Sequence, residues 1–126
     1  MVFDETLGNA ILSLVSTAID AGSAAGDIQF ATSDDYTTIL ATMELNYPSF
    51  GSAATKAMAL DVDTVLSTTV LAKGTAAFAR FRDSNGNAKL SNLTVAASEV
   101  NINFSGGVIW DIGGVIYMNS FELTVP

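Results

Sequence analysis

Hydrophobic positions follow two different periods along this chain, and the change between them divides it. From Asp4 to Ala21 the residues Leu7, Ala10, Ile11, Leu14, Val15, Ala18 and Ile19 keep the i, i+3, i+4, i+7 spacing of one helical stripe. Asp4 is the expected N-cap and Gly22 the expected residue at the C-terminal turn. The opposite face, Asn9, Ser13, Ser16, Thr17 and Asp20, is polar but almost uncharged, which fits either a small neutral face on water or a face that packs on something else. After a connector of small residues from Ala21 to Asp27 the period falls to two. Ile39, Ala41, Met43, Leu45 and Tyr47 alternate with Leu40, Thr42, Glu44 and Asn46 until Pro48 stops the ladder. Ala77, Ala79 and Phe81 alternate with Ala76, Phe78, Arg80 and Arg82, and Val100, Ile102 and Phe104 with Asn101, Asn103 and Ser105. Val115, Tyr117, Asn119, Phe121, Leu123 and Val125 share one face near the C-terminus, with Asn119 expected at a bulge or hydrogen-bonded. Asp83-Ser84-Asn85-Gly86-Asn87 is a hairpin turn, and Gly106-Gly107 and Gly113-Gly114 are further turns.

These elements predict a mainly β fold: an antiparallel β-sandwich or small barrel of about seven to eight strands over 27–126, preceded by one N-terminal amphipathic α-helix over 1–22. The expected organisation is a single domain over 1–126. A parallel α/β sheet is excluded because no helical pattern separates the strands.

Composition narrows the chemistry. The chain of 126 residues has no Cys and no His, 14% charged residues, and 13 acidic against 5 basic side chains for a net charge of -8. A soluble domain usually carries about 25% charge. Thiol chemistry, cysteine zinc sites and a Ser-His-Asp triad are excluded. Lys56, Lys73, Arg80, Arg82 and Lys89 are too few to bind nucleic acid. No apolar run reaches a membrane span, and the acidic start Met1-Val2-Phe3-Asp4-Glu5 is unlike a signal peptide. No cofactor, metal, nucleic acid or membrane is expected, and no enzyme activity.

Each motif has a plain alternative. Asp83–Asn87 places oxygens at positions 1, 3 and 5 of a calcium loop, but its glycine falls at position 4 and Val95 stands where a bidentate Glu belongs. Asp34-Asp35 and Asp61-Val62-Asp63 suit turns and strand ends as well as a cation or a paired-carboxylate mechanism. The double glycines lack the Lys-Ser/Thr sequel of a phosphate loop. The candidate interface residues are Asn9, Ser13 and Ser16 on the neutral helix face and the aromatics Tyr47, Phe50 and Trp110.

The chain also resembles a family of small proteins encoded by tailed bacteriophages and prophages. The likeness is carried by Ile19-Asp20-Ala21-Gly22-Ser23, by Asp27-Ile28-Gln29-Phe30, and by Ile39-Leu40-Ala41-Thr42-Met43-Glu44-Leu45. It continues through Tyr47-Pro48-Ser49-Phe50-Gly51-Ser52-Ala53-Ala54, the stretch from Gly74 to Asn87, and Ser120 to Pro126. Thr55–Leu71 and Trp110-Asp111-Ile112 depart from the pattern. The resemblance implies a non-enzymatic virion component. The best fit is a capsid decoration or cement protein that clamps the major capsid protein from outside as a homotrimer, on the capsid surface of a virion assembled in the bacterial cytoplasm. The alternatives are a tail or head–tail connector component, or a carbohydrate-binding sandwich on the virion surface with Trp110 or Tyr36 as exposed platforms.

Overall fold

Strand β1 (Asp27–Ala31) lies between two antiparallel partners, β2 (Ile39–Glu44) and β6 (Phe78–Arg82). The computed structural model describes residues 1–96, 102–104 and 107–126; the predicted strand positions Val100, Asn101 and Ser105, and Gly106 of the predicted turn, lie outside the described residues. Strand β6 pairs onward with β7 (Ala88–Ala96), and β8 (Ile102–Asn103) joins β7 in parallel, giving the order β2-β1-β6-β7-β8. Three two-stranded ribbons complete the fold. They are β3 (Ala57–Ala59) with β11 (Glu122–Thr124), β4 (Leu66–Thr69) with β10 (Val115–Met118), and β5 (Gly74–Thr75) with β9 (Ile109–Trp110). Helix α1 (Glu5–Ile19) precedes them all. The architecture is mainly β and sandwich-like, as the alternating pattern predicts.

The core lies on one face of the large sheet. The register aligns Ile28 with Met43 and Phe81, and Phe30 with Ala41 and Ala79, so these side chains share that face. All of them are fully buried. Two aromatic groups cover it. Phe30, Phe104 and Trp110 meet edge to face with centroids 5.2–5.5 Å apart, and Phe50, Phe81 and Phe121 form the second group at 5.6–6.3 Å. Each ring pair adds about 1 kcal/mol to the area it buries.

Helix α1 begins as expected: the Asp4 carboxylate accepts from the Leu7 N–H at 3.1 Å. Its phase around the axis differs from the predicted one. Gly8, Leu12 and Ile19 are buried, whereas Leu7 is 51% and Leu14 71% exposed. Three contacts from distant sequence set that rotation. Gly8 lets the Lys56 stem and Val125 approach so closely that a Cβ there would lie 2.7 Å from Lys56 Cγ. The Asn9 Oδ1 accepts from the Lys56 N–H at 2.8 Å, and both Asp20 carboxylate oxygens accept from the Ser49 N–H. The Asn9 and Asp20 ends of the polar face therefore dock on the body, Ser13 and Thr17 between them stay exposed, and two leucines turn outward. Gly22 takes a positive φ of 104°, as its place after the helix requires.

The C-terminal run also departs from its predicted face. Ile116 and Met118 are buried, while Val115 and Tyr117 point outward. The alternation from Val115 to Val125 is two strands, not one. β10 pairs with β4 and β11 with β3, and exposed Asn119 and Ser120 lie in the break where the phase resets.

Among the described glycines, Gly26 makes the tightest approach to other backbone. A Cβ there would lie 2.2 Å from the Arg82 carbonyl oxygen and 2.9 Å from that of Ile19, and neither backbone group can swing aside. Gly26→Ala is expected to cost about 3 kcal/mol, the upper range for single substitutions. Gly51→Ala, whose Cβ would meet nothing nearer than 3.8 Å, should stay within about 0.5 kcal/mol of the parent. Urea unfolding of the two variants checks the contrast.

Candidate functional surfaces

The second face of the large sheet is polar and follows the same register. Arg82 donates from Nε and Nη2 to the two carboxylate oxygens of Asp27, both at 2.7 Å. That pairing raises the Arg82 guanidinium above its ordinary range. One rung along, Arg80 donates from Nε and Nη2 to the Gln29 Oε1 at 3.0 and 2.8 Å, and the Gln29 amide donates to the Thr42 hydroxyl at 3.2 Å. The Tyr36 ring covers Arg80 at 4.3 Å. The Tyr36 hydroxyl donates to the Ala79 carbonyl and accepts from the Asn92 N–H, and both residues hold positive φ values, 55° and 61°. These groups are spent on one another across three strands, an arrangement that cements the sheet. Sequence reading places Arg80 and Arg82 on one face but has no signal for the Tyr36 strut, 43 residues from its acceptor in Ala79.

The acidic pairs close local turns. The Asp83 carboxylate accepts from the Asn87 and Asn85 N–H groups at 2.9 and 3.0 Å, and Gly86 turns the chain with φ 83°. The Asn87 backbone bond, followed by those from Asn85 and from the Asn87 side chain, holds Asp83 below the usual carboxylate range. The Ser33 hydroxyl, then Thr37, does the same for Asp35. Asp61 accepts from the Asp63 N–H at 3.0 Å. Among the described residues no three acidic side chains gather as metal ligands. Because both folded values are depressed, the stability contributed by Asp35 and Asp83 is complete above the unfolded carboxylate value of about 3.9 and is lost as pH falls below it. Asp83→Asn should therefore flatten the fall of the denaturation midpoint between about pH 4 and pH 2, measured by urea titration at each pH.

The six candidate interface residues do not converge on one place. Asn9 is tied to Lys56, the half-buried Ser16 donates to the Ser13 carbonyl, and Ser13 is exposed. Tyr47 is exposed in the loop that follows β2, which ends at Glu44 and not at Tyr47 as the alternation predicts. Phe50 and Trp110 are core residues, 5% and 7% exposed, and the Trp110 Nε1 donates to the Gly107 carbonyl at 3.1 Å. Ser49 is wholly enclosed beside Phe50, and its Oγ has no hydrogen-bond partner among the described residues. Removing that unsatisfied hydroxyl costs no bond, so Ser49→Ala should stabilise the protein by about 1 kcal/mol in urea unfolding.

What stands open is apolar. On α1, Leu7, Ala10 and Leu14 form an exposed stripe, and no residue from Thr6 to Ala18 is charged. On the far ribbons, every odd-numbered position from Val65 to Thr75 is exposed. Val115 faces Thr69, Tyr117 faces Ser67 and Ile109 faces Thr75 across the strands, so all belong to that outer surface. Beside it, Phe104, Trp110 and β10 line a shallow depression of about 450 Å³. No helix among the described residues is long and apolar enough to cross a membrane. Comparison with protein-family models, curated proteins and solved structures finds no match.

Proposed function

We propose that this protein is a non-enzymatic structural component of a phage virion, a decoration protein that binds the major capsid protein shell from outside and stabilises it. The observation that carries the reading is a pair of apolar surfaces with few charges, the α1 stripe and the outer face of β4 and β10. A protein that works alone seldom keeps two such surfaces in water. A subunit that joins its own copies and also a shell has a use for both. Stabilisation would accumulate from many modest contacts repeated over the shell. The polar side chains support the same reading, because the best-ordered of them brace the sheet and close turns. Trp110 and Tyr36, the platforms a carbohydrate-binding role needs, are enclosed and covered by Arg80 respectively, which weighs against that alternative.

Incubation with shells assembled from the major capsid protein of the same phage tests the proposal. The protein should sediment with the shells at a fixed copy ratio and raise their disruption temperature. Leu14→Glu, at an exposed helix position that carries no packing, should weaken shell binding at least tenfold. A protein that stays in the supernatant with shells but binds assembled tail tubes would transfer the assignment to the tail.

A further inference from the structure

The outer face of β4 and β10 has a composition that identifies its partner. Six large side chains stand open there: Val65, Leu71, Ile109, Ile112, Val115 and Tyr117, from 52% to 80% exposed. Ser67, Thr69 and Thr75 fill the spaces between them. The six apolar side chains offer on the order of 600 Å², and the hydroxyl residues bring the face close to the ~800 Å² that each partner contributes to a standard stable interface. Among the described residues β10 also keeps an open edge. Its neighbour on one side is β4, and the two-stranded order leaves its other side without a strand partner among the described residues.

Charge decides the kind of partner. The chain carries -8 overall, so two copies repel wherever acidic residues face each other. Among the described residues between Thr64 and Thr75 and between Ile109 and Phe121 there is one cation and one anion, Lys73 and Asp111, which pair loosely at 3.7 Å with both side chains more than 70% exposed. A face with one charge of each sign, otherwise neutral, is complementary to itself: a two-fold rotation sets each Lys73 against the Asp111 of the other copy. We propose that this face binds a second copy of the same chain in a two-fold dimer, rather than the homotrimer that the resemblance implies, with the axis beside the Lys73–Asp111 pairs, which exchange across it, and with Leu71 and Tyr117 within the contact. The inference stands on the surface alone and holds whether or not the larger partner is a capsid shell. It also leaves the α1 stripe free for that partner.

Sedimentation equilibrium of the isolated protein from about 1 to 300 μM tests the assignment, a range spanning micromolar and weaker affinities. A dimer is expected, and Tyr117→Glu should shift it to monomer at least a hundredfold, with an unchanged circular dichroism spectrum. Leu14→Glu on the helix should leave it intact. Lys73→Asp and Asp111→Lys should each weaken self-association about tenfold, and mixing the two variants should restore it as a heterodimer. Because both positions are highly exposed, these changes leave the fold in place and keep the test valid if Tyr117→Glu unfolds. A monomer throughout the range, a dimer lost on Leu14→Glu but kept on Tyr117→Glu, a trimer, or a mixture that fails to restore association would each overturn the proposal. None of these results bears on shell binding, which is measured separately.

Discussion

The structure depends on strand β1 having four occupied sides. β2 and β6 take its two edges, Ile28 and Phe30 face the core, and Asp27 and Gln29 face the guanidinium groups of Arg82 and Arg80. Fixing β1 fixes the rest in turn. Phe30 seats Trp110 and Phe104, which orient the segment that returns as β9 and β10. Phe81, opposite Ile28, seats Phe50 and Phe121, which hold the loop after β2 and the last strand. The polar face matters because a strand buried on both sides must pair its charged groups or pay for their desolvation. The Arg82–Asp27 fork meets that demand with two short charge-assisted bonds.

What the sequence displayed was whatever nearby residues decide. The Asp4 cap, the start of α1, the Asp83–Asn87 hairpin and the alternation of β6 all rest on contacts within a few positions, and all lie where the pattern places them. The helix phase was hidden because it is set by Lys56, Ser49 and Val125, which no helical wheel includes. Leu12, fully buried like Ile19, falls outside the stripe drawn through Leu7 and Leu14. The C-terminal face was hidden for a related reason. A change of sheet at Asn119 and Ser120 resets the alternation, and a continuous sequence pattern contains no mark of it.

The candidate surface was obscured by those same two errors of phase. Reading Leu7 and Leu14 as buried removed one apolar stripe from view, and placing Val115 and Tyr117 inward removed the other. Aromatic character pointed instead to Phe50 and Trp110, which the core claims. Tyrosine and tryptophan are enriched at interfaces and in cores alike, so residue type alone could not separate them. Only the register of β10 against β4 does so, because it sends Tyr117 outward and Ile116 inward.

The acidic excess takes a different meaning once six of the thirteen acidic side chains have a place. Asp4 caps α1, Asp20 clamps Ser49, Asp27 pairs with Arg82, and Asp35, Asp61 and Asp83 close turns. These six groups are engaged by local structure. At physiological ionic strength fields decay within about 8 Å in any case, so a charge of -8 dispersed over turns mainly discourages indiscriminate association. Specific association must then use the surfaces from which charge is missing. The sequence keeps charge out of Thr6–Ala18, Thr64–Ala72 and Ile112–Phe121, the three stretches that supply most of the exposed apolar side chains. Low charge and apolar exposure thus coincide along the chain: the stretches without charged residues are those whose apolar side chains are left open to contact.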